Sequence, residues 1–145
     1  MTSNTLPARF LQILNTGFPT LSFYLKDMDN TFFTELQNTH VAAWNEKDAA
    51  TRIKLLEKIY KDDIVMYDKD SVFTGLKTIS DFIGKLITED PAYHFAAAKP
   101  IEPLQNSARF YGNIQTSGGL LDSMDFFLIE NGKVERLYAF LEPAN

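Results

Sequence analysis

The chain contains no cysteine, which excludes disulfides, thiolate metal sites and thiol redox chemistry. Histidine is nearly as scarce, with only His40 and His94. No His-x-x-x-His or Glu-x-x-His spacing occurs, so the usual transition-metal ligand sets cannot be assembled locally, and no Ser–His partnership suggests a hydrolytic triad. Basic residues are outnumbered, 14 Lys and Arg against 19 Asp and Glu, for a net charge of −5 at pH 7. They are scattered among the acids and form no patch for phosphates, which argues against nucleic acid as a partner. Long apolar runs are also missing. The stretch from Phe10 to Leu25 is broken by Gln12, Asn15, Gly17 and Pro19 and has no basic segment before it, so it reads neither as a membrane span nor as a signal peptide. The expectation is a cytoplasmic chain with no membrane partner, no metal and no cofactor.

What is present is enough for one domain: 145 residues, 45% of them hydrophobic, can bury a core without metal or disulfide help. Residues 1–29 read as an N-terminal extension, apolar but punctuated by Pro7, Gly17 and Pro19, and 30–145 as the domain. After Asp29-Asn30, a capping pair, Phe33, Leu36, His40, Ala43 and Trp44 fall on one helical stripe. Asp48 caps a second helix running to about Tyr60, with Ile53, Leu56, Ile59 and Tyr60 inward and with Arg52 and Lys54 on solvated or partnered faces. Residues 62–68 alternate as a strand, Ile64, Met66 and Asp68 sharing one side. A short extended piece and Gly75 precede the clearest amphipathic helix, in which Leu76, Ile79, Phe82, Ile83, Leu86 and Ile87 recur before Asp90-Pro91 stops it. From Tyr93 onward the chain is β-rich, roughly 93–99, 107–116, 120–130 and 133–141, so the order of elements spells α+β.

Three residues carry chemistry. Asp125 lies between Met124 and Phe126-Phe127 in the strand before Asn131-Gly132, a strong hairpin signal. Burial disfavours a charged carboxylate, so a dry Asp125 becomes a neutral hydrogen-bond donor able to stabilise an oxyanion; the alternative is an Asp that meets a loop, an Arg or water. His40, in the middle of an apolar stripe, is either a buried imidazole with both nitrogens satisfied or one that faces a pocket and carries a proton. Asp68 ends a strand, and Asp68-Lys69-Asp70-Ser71 is also ordinary turn composition. His94 reads as a single exposed or structural histidine. Register matters to all of this. A two-residue turn at Asn131-Gly132 pairs Asp125 with Tyr138, a three-residue loop pairs it with Leu137, and a one-residue slip reverses every side chain. Which of Arg109, Tyr111 and Asn113 or Ala108, Phe110 and Ile114 faces inward stays open.

The ordered set THVAAWNEKD, KDDIVMYD, FTGLKTISDFI and MDFFLIENGKVERLYAFLEP, over about residues 30–143, resembles the nuclear-transport-factor-2-like (SnoaL-like) superfamily. The resemblance implies a cone-shaped α+β barrel, three N-terminal helices packed on a curved, mostly antiparallel sheet. It implies catalytic residues by position. As in ketosteroid isomerase, Asp68 falls where the proton-shuttling base belongs, Asp125 where the protonated donor acid belongs, and His40 where the isomerase has its oxyanion-hole tyrosine. That departure sets the chain apart from the steroid isomerases, and the longer stretch between Asp48 and Asp62 is more like the SnoaL-like branch, which includes polyketide cyclases.

The resulting expectation is a small apolar molecule held by Trp44, Tyr60, Met66, Phe82 and Phe127, and cofactor-free isomerase, cyclase or lyase chemistry on a carbonyl compound. The alternative is a ligand-binding or dimeric scaffold module of the same fold without chemistry. A homodimer through the open sheet face is expected, since relatives of this fold dimerise and one of the two possible orientations of Tyr138 and Phe140 is outward.

Overall fold

The computed structural model describes residues 28–145, and the expected extension, apart from its last two residues, lies outside the described residues. Helix α1 (Asn30–Asn45) begins where Asp29 accepts the Phe32 N–H at 3.1 Å, and it buries Phe33, Leu36, His40 and Ala43. Helix α2 (Ala49–Ile59) is capped by Asp48, whose carboxylate takes the Thr51 N–H and Oγ1–H. Tyr60 is the first residue of strand β1 (Tyr60–Tyr67) rather than the last of α2. A hairpin leads to β2 (Val72–Thr74), then Gly75 at φ +93° opens α3 (Leu76–Glu89), which buries Leu76, Ile79, Ser80 and Ile83. Strands β3 (His94–Ala97), β4 (Glu102–Leu104), β5 (Ser107–Thr116), β6 (Gly119–Glu130) and β7 (Lys133–Pro143) complete the chain.

Among the described residues the architecture is α+β, three helices on a seven-stranded sheet in the order β2-β1-β7-β6-β5-β3, with β4 also paired to β5. Two expectations need correction. The helices are not all N-terminal, because β1 and β2 precede α3. The sheet is not a closed barrel either: it ends in two short strands, β2 and β3, that do not pair with each other. All neighbouring strands are antiparallel except β1 and β7. Among the described residues no helix is long and apolar enough to cross a membrane.

Of the two expectations for Arg52, the partnered one holds. The side chain is buried: Nε donates to Ser80 Oγ at 2.9 Å and Nη1 to the Glu46 carbonyl at 2.7 Å, so the guanidinium ties α2 to α3 and to the α1–α2 connection. Gly84 makes room for it, since a Cβ there would lie 2.8 Å from Nη2. The amphipathic pattern left Arg52 either solvated or partnered. A long side chain that finds a hydroxyl and a carbonyl can instead be buried, because its donors are satisfied.

The last hairpin decides which side chains reach the interior. Asn131 (φ +52°) and Gly132 (φ +78°) form a two-residue turn with Glu130 opposite Lys133. The register then shifts by one between Leu128 and Ile129, leaving Glu135 as the extra residue, so that Asp125 faces Ala139 rather than Tyr138 or Leu137. Such a bulge exchanges the two faces of the strand beyond it. Val134 is inward before it; after it Leu137 is inward, in phase with Ala139 and Leu141, while Tyr138 and Phe140 lie on the outer face. On β5 the inward set is Ala108, Phe110, Gly112 and Ile114.

Deleting Glu135 removes the bulge but keeps Arg136 opposite Leu128 and Leu137 inward opposite Phe127, as in the parent chain. The expected result is a cooperative thermal transition retained by circular dichroism; loss of that transition would show that the bulge does more than set which residues of β7 face inward.

Candidate active site

Four side chains from three elements form one hydrogen-bond chain. Trp44 Nε1–H on α1 donates to the Tyr60 oxygen at 2.9 Å, Tyr60 Oη lies 2.7 Å from His40 Nδ1, and His40 Nε2 lies 2.9 Å from Asp125 Oδ2. Because the indole already donates to Tyr60, the phenol has its single proton free for Nδ1. Nε2 then carries the ring proton and donates to Asp125, and every donor in the chain has an acceptor without a charge on the imidazole. His40, only 1% exposed, is surrounded by the rings of Phe95, Phe110 and Phe127, with centroids 5.6, 5.8 and 5.0 Å away. An imidazole so enclosed is costly unless both nitrogens are bonded. The buried-and-satisfied reading of His40 therefore holds, and the same bonds orient Asp125.

Asp125 is 7% exposed and lines a cavity of about 160 Å³. With Oδ2 engaged by His40, Oδ1 is the oxygen open to that space. Trp44, Met66, Phe82, Tyr93 and Phe95 form much of the wall, and Ser123 lies in it two residues before Asp125 on the same face of β6. The Ser123 hydroxyl is buried and has no hydrogen-bond partner among the described residues. Gly112 sits across from it, and a Cβ there would come within 2.9 Å of Ser123 Oγ and 2.7 Å of the Phe95 ring. Glycine at 112 thus leaves room for both groups.

The expected site residues separate as follows. Asp68, Asp125, Trp44, Met66 and Phe82 share the cavity. Asp68 also fills its turn role, with Oδ1 accepting the Asp70 N–H at 2.9 Å and the Ser71 N–H at 2.7 Å. His40, Tyr60 and Phe127 do not line the cavity. They stand behind it, because the bonds that satisfy His40 and Tyr60 in the core leave neither a proton for a ligand, and Phe127 closes over the imidazole. His94 is exposed on β3. Ser123, Tyr93, Phe95 and Asp90 are cavity residues that pattern reading missed. Only Ser123 had a signal, its period-two spacing from Asp125.

No protein-family model matches the sequence, and no curated protein does either. Solved structures do. A SnoaL-like family protein from Agrobacterium tumefaciens with a suggested isomerase activity superposes with a TM-score of 0.69 at 23% identity, covering 77% of this chain and 98% of that one. This chain has the SnoaL-like fold. A SnoaL-like protein from Jannaschia sp. CCS1 with a suggested polyketide cyclase activity gives 0.60 at 11% identity, over 79% and 90% of the two chains. A protein of ketosteroid-isomerase-like fold from Catenulispora acidiphila, in complex with trimethylamine, gives 0.61 at 11% identity, over 72% and 82%. The fold that the sequence motifs suggested is thus the one these solved structures share.

Burial pushes the Tyr60 hydroxyl well above the ordinary tyrosine range; the Trp44 N–H opposes this and the Asp125 charge adds to it. Burial and then Asp125 also raise Tyr93, whose hydroxyl donates to the Trp44 carbonyl at 2.8 Å. A raised folded value favours the neutral phenol. The stability it contributes is complete below pH about 10, where an unfolded tyrosine is still protonated, and is lost as the pH climbs through the folded values. The urea midpoint is thus expected to hold steady up to about pH 9 and to fall above about pH 10. Tyr60→Phe should remove part of that alkaline loss. At neutral pH it should cost about 1–3 kcal/mol, since Trp44 Nε1 and His40 Nδ1 lose their shared partner. An unchanged midpoint in Tyr60→Phe would mean that the chain of bonds does not support the fold.

Proposed function

We propose that the chain binds a small, largely apolar carbonyl compound in the 160 Å³ cavity and that Asp125 moves a proton on it, as in a cofactor-free isomerase, cyclase or lyase. The observation that supports this most is the position of one carboxylate, with one oxygen held by a buried imidazole and the other open to an apolar cavity. A base held that way loses little freedom when it acts. Oδ1 takes the proton from the carbon beside the carbonyl and returns it at the same or another carbon. The Ser123 hydroxyl, free of other partners among the described residues, donates to the oxygen on which the enolate charge develops. Trp44, Met66 and Phe82 hold the carbon skeleton. This reading moves the base from Asp68, whose Oδ1 is tied into a turn, to Asp125, and gives His40 a positioning role. The suggested isomerase and cyclase activities of the Agrobacterium and Jannaschia neighbours are consistent with it. The cavity is well below the roughly 300–1,000 Å³ of drug-sized sites, so it suits a compact ligand; the Catenulispora neighbour was obtained with a very small one.

The reading can be tested without knowing the natural substrate. A panel of small ketones and aldehydes in deuterated buffer, followed by proton NMR, is expected to show enzyme-dependent exchange beside the carbonyl, slowed roughly 10²-fold or more by Asp125→Asn. His40→Gln should slow it less, and Asp68→Asn least. Exchange that Asp125→Asn leaves untouched would discard the chemistry. Copurification of an unconverted ligand would favour the alternative, a binding module.

A homodimer is a second part of the proposal. The outer sheet face carries Phe140, 58% exposed, and Tyr138, stacked on Tyr67 at 4.9 Å, beside a groove of about 650 Å³. Exposed aromatic faces of this kind are commonly interaction sites. Light scattering should give twice the chain mass for the parent and a smaller mass for Phe140→Glu; a parent that scatters as a monomer would remove the dimer.

A further inference from the structure

The cavity is apolar in its walls but one-signed in its charge. Asp125 lies deep, and Asp68 and Asp90 stand where β1 and α3 end, near Thr116, Leu121 and Leu141 at the ends of β5, β6 and β7. Among the described residues no Lys, Arg or His lines it; Lys69, next to Asp68, faces the outer groove. The carboxylates at the mouth are built in. Asp90 takes the Ser117 N–H at 3.0 Å and the Ala92 N–H at 3.0 Å, contacts that hold its carboxyl below the usual carboxylate range. Asp68 takes two backbone N–H groups of its own turn. The C-terminus of α3, with its partial negative charge, ends at Asp90.

Two independent features of the interior call for a ligand of definite shape. The rings of Trp44, Phe82, Tyr93 and Phe95 contribute to the wall, and aromatic faces attract organic cations, tryptophan most strongly. Ser123 Oγ, in a residue 5% exposed, projects from the inward face of β6 with no partner among the described residues. A hydroxyl that is buried, unpaired and next to an open space is satisfied when a ligand oxygen or N–H reaches it.

We infer that the molecule this cavity takes is a small organic cation, an amine or quaternary ammonium compound whose charge lies among the rings and the carboxylates of the mouth and whose oxygen meets Ser123. This rests on the reading of the cavity as a small-molecule site and narrows it. A carbonyl substrate of this class presents its oxygen to Ser123, its adjacent C–H to Asp125 Oδ1 and its ammonium group toward Asp68 and Asp90. Small anions, including carboxylates and phosphates, are repelled from the same space.

The chain has one tryptophan, and it lines the cavity, so its fluorescence reports occupancy. The probes are choline and the alcohol in which carbon replaces the choline nitrogen, titrated separately into the full chain. They match in shape and hydroxyl and differ in charge. Choline is expected to bind roughly tenfold more tightly than the alcohol, and the advantage should shrink at high salt. Asp68→Asn keeps an oxygen for its turn while removing the charge, and Asp90→Asn does the same in part. Each should weaken choline about threefold or more and leave the alcohol unchanged. Ser123→Ala should weaken both probes alike, and circular dichroism melts verify that each variant is folded. Equal or tighter binding of the alcohol overturns the inference and leaves the cavity reading in place, as does a choline affinity indifferent to both Asp variants. Failure of both probes to perturb Trp44 or to compete with each other overturns the inference and the cavity reading together.

Discussion

The rest of the structure depends on the requirement that a buried imidazole have both of its nitrogens bonded. His40 is sealed by three phenylalanine rings, where an unsatisfied polar atom costs on the order of 1–3 kcal/mol. Tyr60 and Asp125 meet that need from β1 and β6, strands that are not neighbours in the sheet. The imidazole therefore fixes the spacing between helix α1 and two separate strands. Trp44 extends the same chain of bonds to the cavity wall, so that packing, polar satisfaction and the orientation of Asp125 are one arrangement.

The space in front of Asp125 exists because of small local irregularities in otherwise regular strands. The bulge at Glu135 turns Leu137 and Ala139 inward, putting modest side chains opposite the acid where Tyr138 would have filled the hollow. Gly112 withholds a side chain where one would collide with Phe95 and Ser123. Arg52, bonded to Ser80 against Gly84, holds α2 and α3 together beneath Phe82 and Leu86. A one-residue slip of register or one added methyl at these points changes the cavity more than many substitutions on its wall, because close-packed interiors transmit volume changes.

Much of this was legible. Helical stripes, the caps at Asp29 and Asp48, the stop at Asp90-Pro91 and the Asn131-Gly132 turn are all local signals, set by side chains within a few residues of one another, and they recur as α1, α2, α3 and the β6–β7 hairpin. The SnoaL-like fold followed from their order. Asp125 and His40 stood out because a polar group in an apolar stripe is conspicuous whatever its role. Arg52 stayed open and Tyr60 was misjudged for the opposite reason: a long amphipathic side chain and a phenol satisfy ordinary patterns whether they face water, a cavity or the core.

What the sequence determined alone was therefore the set of elements and the identity of the groups that would be costly to bury. Tertiary structure decided how those costs were met and which groups were left over for a ligand. Whether Asp125 met Tyr138, Leu137 or Ala139 turned on a single extra residue in β7, and strand faces alternate with no local energetic mark to reveal a slip. Whether His40 met a ligand or Tyr60 depended on a partner 20 residues away, and on Asp125 85 residues away. Hydrogen bonds of that range are selected only when the whole core closes, since the satisfaction of a buried polar atom is a property of its surroundings and not of its neighbours in the chain.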